Sequence, residues 1–387
     1  MNIKQIEELF HLHKEKDLFG RYITHNHIEP LLKKLENFAT INHIGTSVLE
    51  KPIYSIQVGN GNNRILMWSQ MHGNESTTTK AVFDLINTLC PEKEPFSSIL
   101  ESCTLLIIPI LNPDGAEVYT RLNANQMDLN RDAQDLTQPE SRILQQVFRD
   151  FKPNFCFNLH GQRTIFSAGR AAFPATVSFL APAEDEACTV TPTRRVAMEL
   201  IGVMNKSLQA LIPNQIGVYD DAFNINCVGD TFQSLGVPTV LFEAGHCKRD
   251  YYREDTRFFI YLSLLNAINY ISNHEVTGQF SEPYHLIPEN EKKYYDIIIR
   301  NASFPTTLKS GTIDIGILYQ EVLNEDQILF KPKVEIVDDL TEFYGHREIH
   351  ADGKTVFTED GLPISVGHEN DFVILNNYYV ELKSQMK

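Results

Sequence analysis

The chain alternates between short, almost wholly apolar runs and longer segments in which apolar residues recur every three or four positions. Apolar runs occupy residues 53–58, 65–69, 104–111, 155–159 and 237–242. Helical spacing is found at residues 77–89, 140–151, 195–211 and 257–271. Strands that are apolar on both faces and alternate with helices are typical of a sheet covered on both sides. The pattern predicts a three-layer α/β/α fold with a mostly parallel, mixed central sheet.

The two ends of the chain have a different pattern. Apolar residues from Ile3 to about Leu35 keep helical spacing, and Pro30 is expected to open a helix there. After Asn273, short apolar runs alternate with turn signals such as Asp352-Gly353 and Asp360-Gly361. We therefore expect a helical lead-in at 1–40, the α/β/α domain at 41–278 and a small β-rich C-terminal domain at 281–387.

Composition and charge exclude several classes of protein. The chain has 387 residues, of which 42% are hydrophobic, enough for a sizeable core. Its formal net charge is −16 and it has no basic block, so neither a nucleic acid nor a membrane is an expected partner. No apolar run is long enough to span a membrane, and the first residues lack the apolar core of a signal peptide, so we expect a cytoplasmic protein.

Six scattered cysteines favour buried, reduced thiols over the alternatives of a disulfide framework or a zinc–thiolate site.

Several predicted strands run directly into side chains that can bind a metal or transfer a proton. His72 and Glu75 follow the strand at 65–69, His160 follows the strand at 155–159, and Glu243 follows the strand at 237–242. The carboxyl ends of parallel strands meet at one edge of the sheet, where such folds place their sites. A single histidine at a strand end is most often an ordinary core or surface residue, but the joint placement indicates a site.

Two histidines and one glutamate are a typical ligand set for a catalytic zinc ion with an open fourth position. Zinc lowers the pKa of bound water from about 15.7 to about 7, and a further carboxylate can accept the proton.

A long polar segment at residues 112–139 separates two of the predicted strands. Polar loops of this length usually have a function. Its Arg121 and Arg131 can stabilise two negative charges. One develops on a carbonyl oxygen during the reaction, and the other is permanent, such as a substrate carboxylate. Surface salt bridges are the alternative for both arginines.

Several short motifs carry a family resemblance, in the order in which they occur. They are His72-Gly-Asn-Glu75, Asn112-Pro-Asp-Gly115, Arg121, Asp128-Leu-Asn130-Arg131, Leu159-His160 and Phe242-Glu243. Over roughly residues 20–275 this series resembles the zinc metallocarboxypeptidase family that includes carboxypeptidase A. An ordered series is far more specific than any one of its motifs.

The resemblance implies a metal centre with one zinc ion per chain. Its ligands would be His72, Glu75 and His160, and Asp128 would orient His72. Glu243 would act as general base and later as proton donor.

The resemblance also implies how a substrate is bound. Arg121 would polarise the scissile carbonyl, and Asn130 and Arg131 would hold the C-terminal carboxylate. A tyrosine closes over the substrate in the family, and Tyr219 is the nearest candidate here, although its spacing from Glu243 is loose. Only the last residue of a peptide can present its carboxylate in such a pocket, which explains exopeptidase action.

A second resemblance leaves an alternative open. Residues 242–246 read Phe-Glu-Ala-Gly-His, and the Glu-x-Gly within them resembles the related aspartoacylase and succinylglutamate desuccinylase branch, which shares the zinc set and has an appended β domain. The expected function is hydrolysis of a C-terminal peptide bond by a zinc-dependent carboxypeptidase. The alternatives are a zinc-dependent N-acyl amino acid deacylase and a binding module without activity.

The expected substrate is a peptide or an N-acyl amino acid with a free carboxylate. The sequence leaves open whether the chain forms a homo-oligomer, and whether the C-terminal β domain gates the cleft or mediates pairing.

Overall fold

The structure, a computed structural model, describes residues 3–90, 96–303 and 312–384, so the remaining residues of the predicted domains lie outside the described part. The described α-helices are α1 (Ile3–His13), α2 (His25–Leu35), α3 (Thr77–Leu89), α4 (Ser97–Ser102), α5 (Pro113–Glu117), α6 (Pro139–Phe151), α7 (Pro192–Gln209), α8 (Val228–Ser234) and α9 (Glu254–Asn273). Short 3-10 helices cover Leu129–Arg131 and Glu282–Leu286.

The strands fall into an N-terminal and a C-terminal group. The first group is β1 (Thr40–Thr46), β2 (Pro52–Val58), β3 (Asn63–Ser69), β4 (Cys103–Ile108), β5 (Phe155–Gly161), β6 (Phe166–Ala168), β7 (Val177–Leu180), β8 (Ile216–Val218) and β9 (Thr239–Ala244). The second group is β10 (Asn290–Lys292), β11 (Tyr294–Ser303), β12 (Thr312–Asn324), β13 (Gln327–Asp338), β14 (Tyr344–His350), β15 (Val356–Phe357), β16 (Phe372–Leu375) and β17 (Tyr378–Glu381).

The central sheet is mixed, with its parallel strands in the middle. Among the described residues it has eight strands in the order β1-β2-β4-β3-β5-β9-β7-β8. Strands β4, β3, β5 and β9 run parallel to one another. On one side β2 pairs antiparallel with β4 and with β1, and on the other side β7 pairs antiparallel with β9. The predicted fold class is confirmed.

Alternate residues of β3 show how the sheet divides two cores. Ile65 and Met67 face a core that includes residues of α3, α7 and α9, while Leu66 and Trp68 face a second core with α6 and α8. This is the period of two that a strand imposes on its side chains. The sheet therefore lies between two layers of helices. None of the helices in the described ranges has both the length and the apolar character that a membrane span requires.

The C-terminal β region, defined here as residues 290–384 where described, forms separate small sheets. One has the strand order β13-β12-β11-β14 and another the order β15-β16-β17, with a shared apolar core that includes Ile297, Ile315 and Val373. Strand β10 pairs with β6, which belongs to the N-terminal group of strands. A separate apolar cluster contains Tyr251 together with Phe330 of β13. The C-terminal β region thus packs against the part of the chain that carries the candidate site.

A buried ion pair joins helices α3 and α9. Asp84 and Arg257 are both 0% exposed, and their carboxylate and guanidinium form two hydrogen bonds, each 2.6 Å long. The same guanidinium donates to the carbonyl oxygens of Leu18 and Glu15, at 2.6 and 2.8 Å. One arginine thereby ties the N-terminal lead-in to two core helices.

Removal of one partner of this pair is expected to destabilise the fold. Arg257→Met leaves the Asp84 carboxylate buried without its cation, which costs about 3–5 kcal/mol. Urea unfolding should show this loss, and a double variant that also carries Asp84→Leu should regain much of it, because no charge is then left unpaired.

The matched control for this prediction is the exposed pair of Lys34 and Asp17, whose side chains are 64% and 67% exposed. Lys34→Ala should change the free energy of unfolding by less than about 1 kcal/mol. Equal losses for the buried and the exposed pair would contradict the prediction.

Candidate active site

The carboxyl ends of three neighbouring parallel strands define the candidate site. Strand β3 ends at Ser69, immediately before the turn that carries His72. In the adjacent strands, His160 of β5 is paired in register with Glu243 of β9. The structure therefore brings these predicted residues to one edge of the sheet, as expected for parallel strands.

His72, Glu75 and His160 converge on one point. The Nδ1 atoms of the two histidines are 3.0 Å apart, and Glu75 places Oε1 3.0 Å from His72 Nδ1 and Oε2 3.0 Å from His160 Nδ1. One ligand atom from each residue lies within 4.8 Å of the others. Two imidazole nitrogens and a carboxylate in this arrangement fit a zinc ion and leave room for a further ligand.

Hydrogen bonds outside this triad orient the ligands. His72 Nε2 lies 3.0 Å from Asp128 Oδ1, so a proton on Nε2 leaves the Nδ1 lone pair pointing toward Glu75 and His160. The backbone N–H of Gly161 donates to Glu75 Oε2 at 3.0 Å. Burial lowers the pKa of His160, which favours the neutral imidazole that a metal requires. Asp128 is thus in contact with His72, the residue that the resemblance implies it would orient.

Arg121 lies at the rim of the triad. Its Nε and Nη2 donate to Asp128 Oδ2 at 3.1 and 3.0 Å, while Nη1 lies 3.2 Å from His72 Nδ1 and 3.4 Å from Glu75 Oε1. Its side chain remains 45% exposed. Asp128 thus holds the Arg121 guanidinium on one side, and the exposed part of this cation lies beside the triad.

Glu243 presents a carboxylate that the surrounding residues do not satisfy. Its Oε2 atom is buried and has no hydrogen-bond partner among the described residues. Burial raises the pKa of Glu243 well above its ordinary value, and the neighbouring Glu75 carboxylate raises it further. Such an environment is typical of a group that exchanges a proton rather than of a structural ion pair.

A cleft of about 440 Å³ opens from the triad. Its lining includes the predicted site residues His72, Glu75, Arg121, Asn130, Arg131, His160, Tyr219 and Glu243. The side-chain oxygen of Asn130 accepts from the N–H of Val228 at 3.0 Å, and Arg131 Nη1 donates to Cys227 Sγ at 3.2 Å. These contacts fix the amide and the guanidinium at the cleft wall. Burial and the Glu243 carboxylate raise the pKa of Tyr219, so its phenol stays protonated.

Sequence reasoning missed Asp230, which also lines the cleft. Burial raises its pKa to about 6, and its Oδ1 accepts from the N–H of Asn224 at 3.2 Å. Asp230 lies on the short helix α8, which carries too few turns for a periodic signal. The only signal in the sequence that could have pointed to this residue was its acidic side chain, because no motif includes it.

Comparisons with known proteins bear on the identity of this site. Residues 24–163 match the family described as zinc carboxypeptidase. Carboxypeptidase SOL1 of Arabidopsis thaliana is 29% identical over 168 residues, which cover 38% of this chain and 34% of that protein. Carboxypeptidase 2 of Trichophyton rubrum is 32% identical over 123 residues, which cover 31% of this chain and 22% of that protein. The match thus spans about a third or less of these relatives' length.

The fold has counterparts among solved structures. Carboxypeptidase A of Helicoverpa armigera superposes with a TM-score of 0.52 at 15% identity, over 70% of this chain and 80% of that one. The matched segment 24–163 contains His72, Glu75 and His160, whereas Glu243 and Tyr219 lie beyond it. Residues 24–163 thus match the zinc carboxypeptidase family, and the fold of the chain is similar to that of carboxypeptidase A.

Proposed function

We propose that this chain is a zinc-dependent metallocarboxypeptidase that hydrolyses the C-terminal amide bond of a peptide. The observation that carries the proposal is the convergence of His72, Glu75 and His160 within 4.8 Å, in a cleft that also holds Glu243 and Arg131. Ligands, a proton acceptor and an anchor for a carboxylate are thus within reach of one substrate.

Zinc held by His72, Glu75 and His160 would supply a Lewis acid that makes water a nucleophile at neutral pH. Glu243 takes the proton from the attacking water and passes it to the nitrogen of the leaving amino acid. Its buried Oε2 atom has no competing hydrogen-bond partner among the described residues. Arg121 stabilises the negative charge that develops on the carbonyl oxygen.

Asn130 and Arg131 set the position of cleavage. Both lie at the cleft wall, where a planar guanidinium and an amide can hold a carboxylate. A residue in the middle of a peptide carries no such charge, so only the last bond is presented to the zinc centre. Tyr219 lines the same cleft and could donate its protonated phenol to the substrate.

An N-acyl amino acid deacylase would use the same zinc ligands and the same base. The relatives described above are carboxypeptidases, so they do not favour this alternative. Turnover of N-acyl amino acids without turnover of blocked dipeptides would reverse the choice.

Metal binding should depend on the triad in a graded way. Asp128→Ala should weaken zinc binding about 10–100-fold, because a residue that orients His72 is lost. His72→Ala should weaken zinc binding further than Asp128→Ala does, because a ligand is lost. Competition with a zinc-binding dye measures both affinities. His43→Ala removes an exposed histidine and serves as the control. If all three variants bind zinc alike, the metal centre is elsewhere.

Glu243→Gln keeps the size of the side chain but removes its capacity to accept a proton. We expect kcat/KM for a blocked dipeptide to fall about 10²–10⁴-fold, while zinc content stays at the wild-type value. Glu275→Gln, at an exposed position, is the matched control. Near-normal turnover by the Glu243 variant would contradict its role as the base.

Arg131→Ala should mainly affect the recognition of the free carboxylate. Loss of hydrogen bonds to a charged group predicts a KM about 10–100-fold higher, with a smaller change in kcat. Arg149→Ala, at an exposed position on α6, is the control. Steady-state kinetics with a blocked dipeptide measure the change. An unchanged KM would rule out the anchoring role.

A further inference from the structure

A second cavity, of about 410 Å³, adjoins the zinc centre on the side facing the C-terminal β region. It shares Glu75, Arg121 and the stretch 161–163 with the first cleft. Its lining does not include Asn130 or Arg131. If the C-terminal carboxylate of a substrate binds at those two residues, the part of the substrate on the acyl side of the scissile bond extends into this second cavity.

Arg253 is a buried cation at the wall of this cavity. It is 1% exposed, and its Nη1 and Nη2 donate to the carbonyl oxygens of Ala244 and Gln162 at 3.2 and 3.0 Å. Its Nε has no hydrogen-bond partner, and no carboxylate of the described residues forms an ion pair with it. A buried charge without a counter-ion is costly and calls for an anion. Burial lowers the pKa of Arg253 to about 10, and the charge of Arg21 contributes to the shift.

Arg21 lines the same cavity and is only partly neutralised. Its Nη2 is 3.0 Å from Glu321 Oε2, but Nε and Nη1 have no partner within the described part of the chain. The Glu321 carboxylate also accepts a hydrogen bond from the hydroxyl of Tyr119. Glu321 and Asp250 attract both guanidinium groups electrostatically, but of these two carboxylates only Glu321 forms an ion pair, with Arg21, and each guanidinium keeps an N–H donor without a partner among the described residues.

The acidic residues of the opposite wall have other partners. Asp296 accepts from the hydroxyl of Tyr251 at 3.0 Å and from the N–H of Tyr319 at 2.8 Å. Glu335 also lines the cavity, but no ion pair links it to Arg21 or Arg253. Glu321 and Asp250 thus attract Arg253 electrostatically, but no carboxylate of the described residues forms an ion pair with it.

We propose that the second cavity binds a carboxylate carried on the acyl side of the scissile amide, held by Arg253 and Arg21. The orientation of the substrate in this inference rests on the proposed carboxypeptidase function. The carboxylate can come from an acidic side chain at the penultimate position of a peptide or from the free end of a dicarboxylic acyl group. The C-terminal β region then takes part in substrate recognition through Glu321.

Binding of the acyl product tests the site without turnover. Titration calorimetry of the zinc-loaded protein compares N-acetylglutamate with N-acetylglutamine, which differ only in the charge of the side chain. We expect the acid to bind about tenfold tighter or more, because it forms charge-assisted hydrogen bonds. Equal dissociation constants for the two compounds would overturn the proposal.

Variants locate the source of this preference. Arg253→Gln and Arg21→Gln should each reduce the preference for the acid toward unity, whereas Glu321→Gln, which removes the competing negative charge, should increase it. Arg131→Ala should leave the ratio of the two dissociation constants unchanged, which excludes binding at the other pocket. Arg170→Gln is the control, because Arg170 is 92% exposed. A preference that survives both Arg253→Gln and Arg21→Gln contradicts the proposal.

Each variant can be checked for folding by its thermal midpoint. If Arg253→Gln does not fold, the opposite shifts expected for Arg21→Gln and Glu321→Gln still decide the question. Shifts in the same direction for these two variants would overturn the proposal.

Kinetics separate the sources of the carboxylate and separate this inference from the proposed function. Acetyl-Glu-Ala is compared with acetyl-Gln-Ala, and a butanedioyl amide of alanine with the butanoyl amide. Faster cleavage of the acidic peptide points to a penultimate side chain, and faster cleavage of the butanedioyl amide points to a dicarboxylic acyl group.

Equal rates of cleavage within both pairs would refute the inference and leave the proposed hydrolase function intact. If nothing is cleaved but the calorimetric preference depends on Arg253, the carboxypeptidase proposal fails and the carboxylate site stands.

Discussion

The register between parallel strands β3, β5 and β9 is the constraint on which the candidate site depends. Ser69 is paired with Leu159, and His160 with Glu243. A slip of one residue in β5 would move His160 to the opposite face of the sheet. The 3.0 Å separation of the two histidine Nδ1 atoms therefore requires that the apolar side chains on both faces of the sheet first fix this register.

Close backbone contact joins the His72-Gly-Asn-Glu75 motif to the Asn112-Pro-Asp-Gly115 motif. A Cβ added at Gly73, within the His72–Glu75 turn, would lie 2.0 Å from the carbonyl carbon of Gly115. Asn112 supports the contact, because its side chain accepts from the N–H of Gly115 at 2.8 Å and donates to the carbonyl of Met71 at 3.2 Å. The Asn-Pro-Asp-Gly turn thus holds the turn that carries the candidate ligands His72 and Glu75, and larger residues at either glycine would displace it.

Local sequence patterns predicted the elements that bury apolar residues on both faces, such as β3 and β5, and the strand-end rule placed His72, His160 and Glu243 together. The patterns failed where elements are short: β7 and β8 have four and three residues, too few for a periodic signal. Pro30 lies inside α2 and does not open it, so the prediction from its helix-starting preference was wrong. The contact between Arg21 and Glu321, 300 residues apart, has no local signal at all.

The C-terminal β region contacts the α/β/α part of the chain beside the candidate site rather than at a remote face. His246, three residues after Glu243, has its ring centroid 4.5 Å from that of His346, and Tyr251 donates to Asp296 at 3.0 Å. Buried polar contacts of this kind are stable only when both halves keep one relative position, because an unpaired buried group is costly. The interface therefore holds the second cavity in a defined shape. The described residues of β12 and β13 form part of the cavity wall, so the shape of the cavity depends on how the C-terminal β region packs.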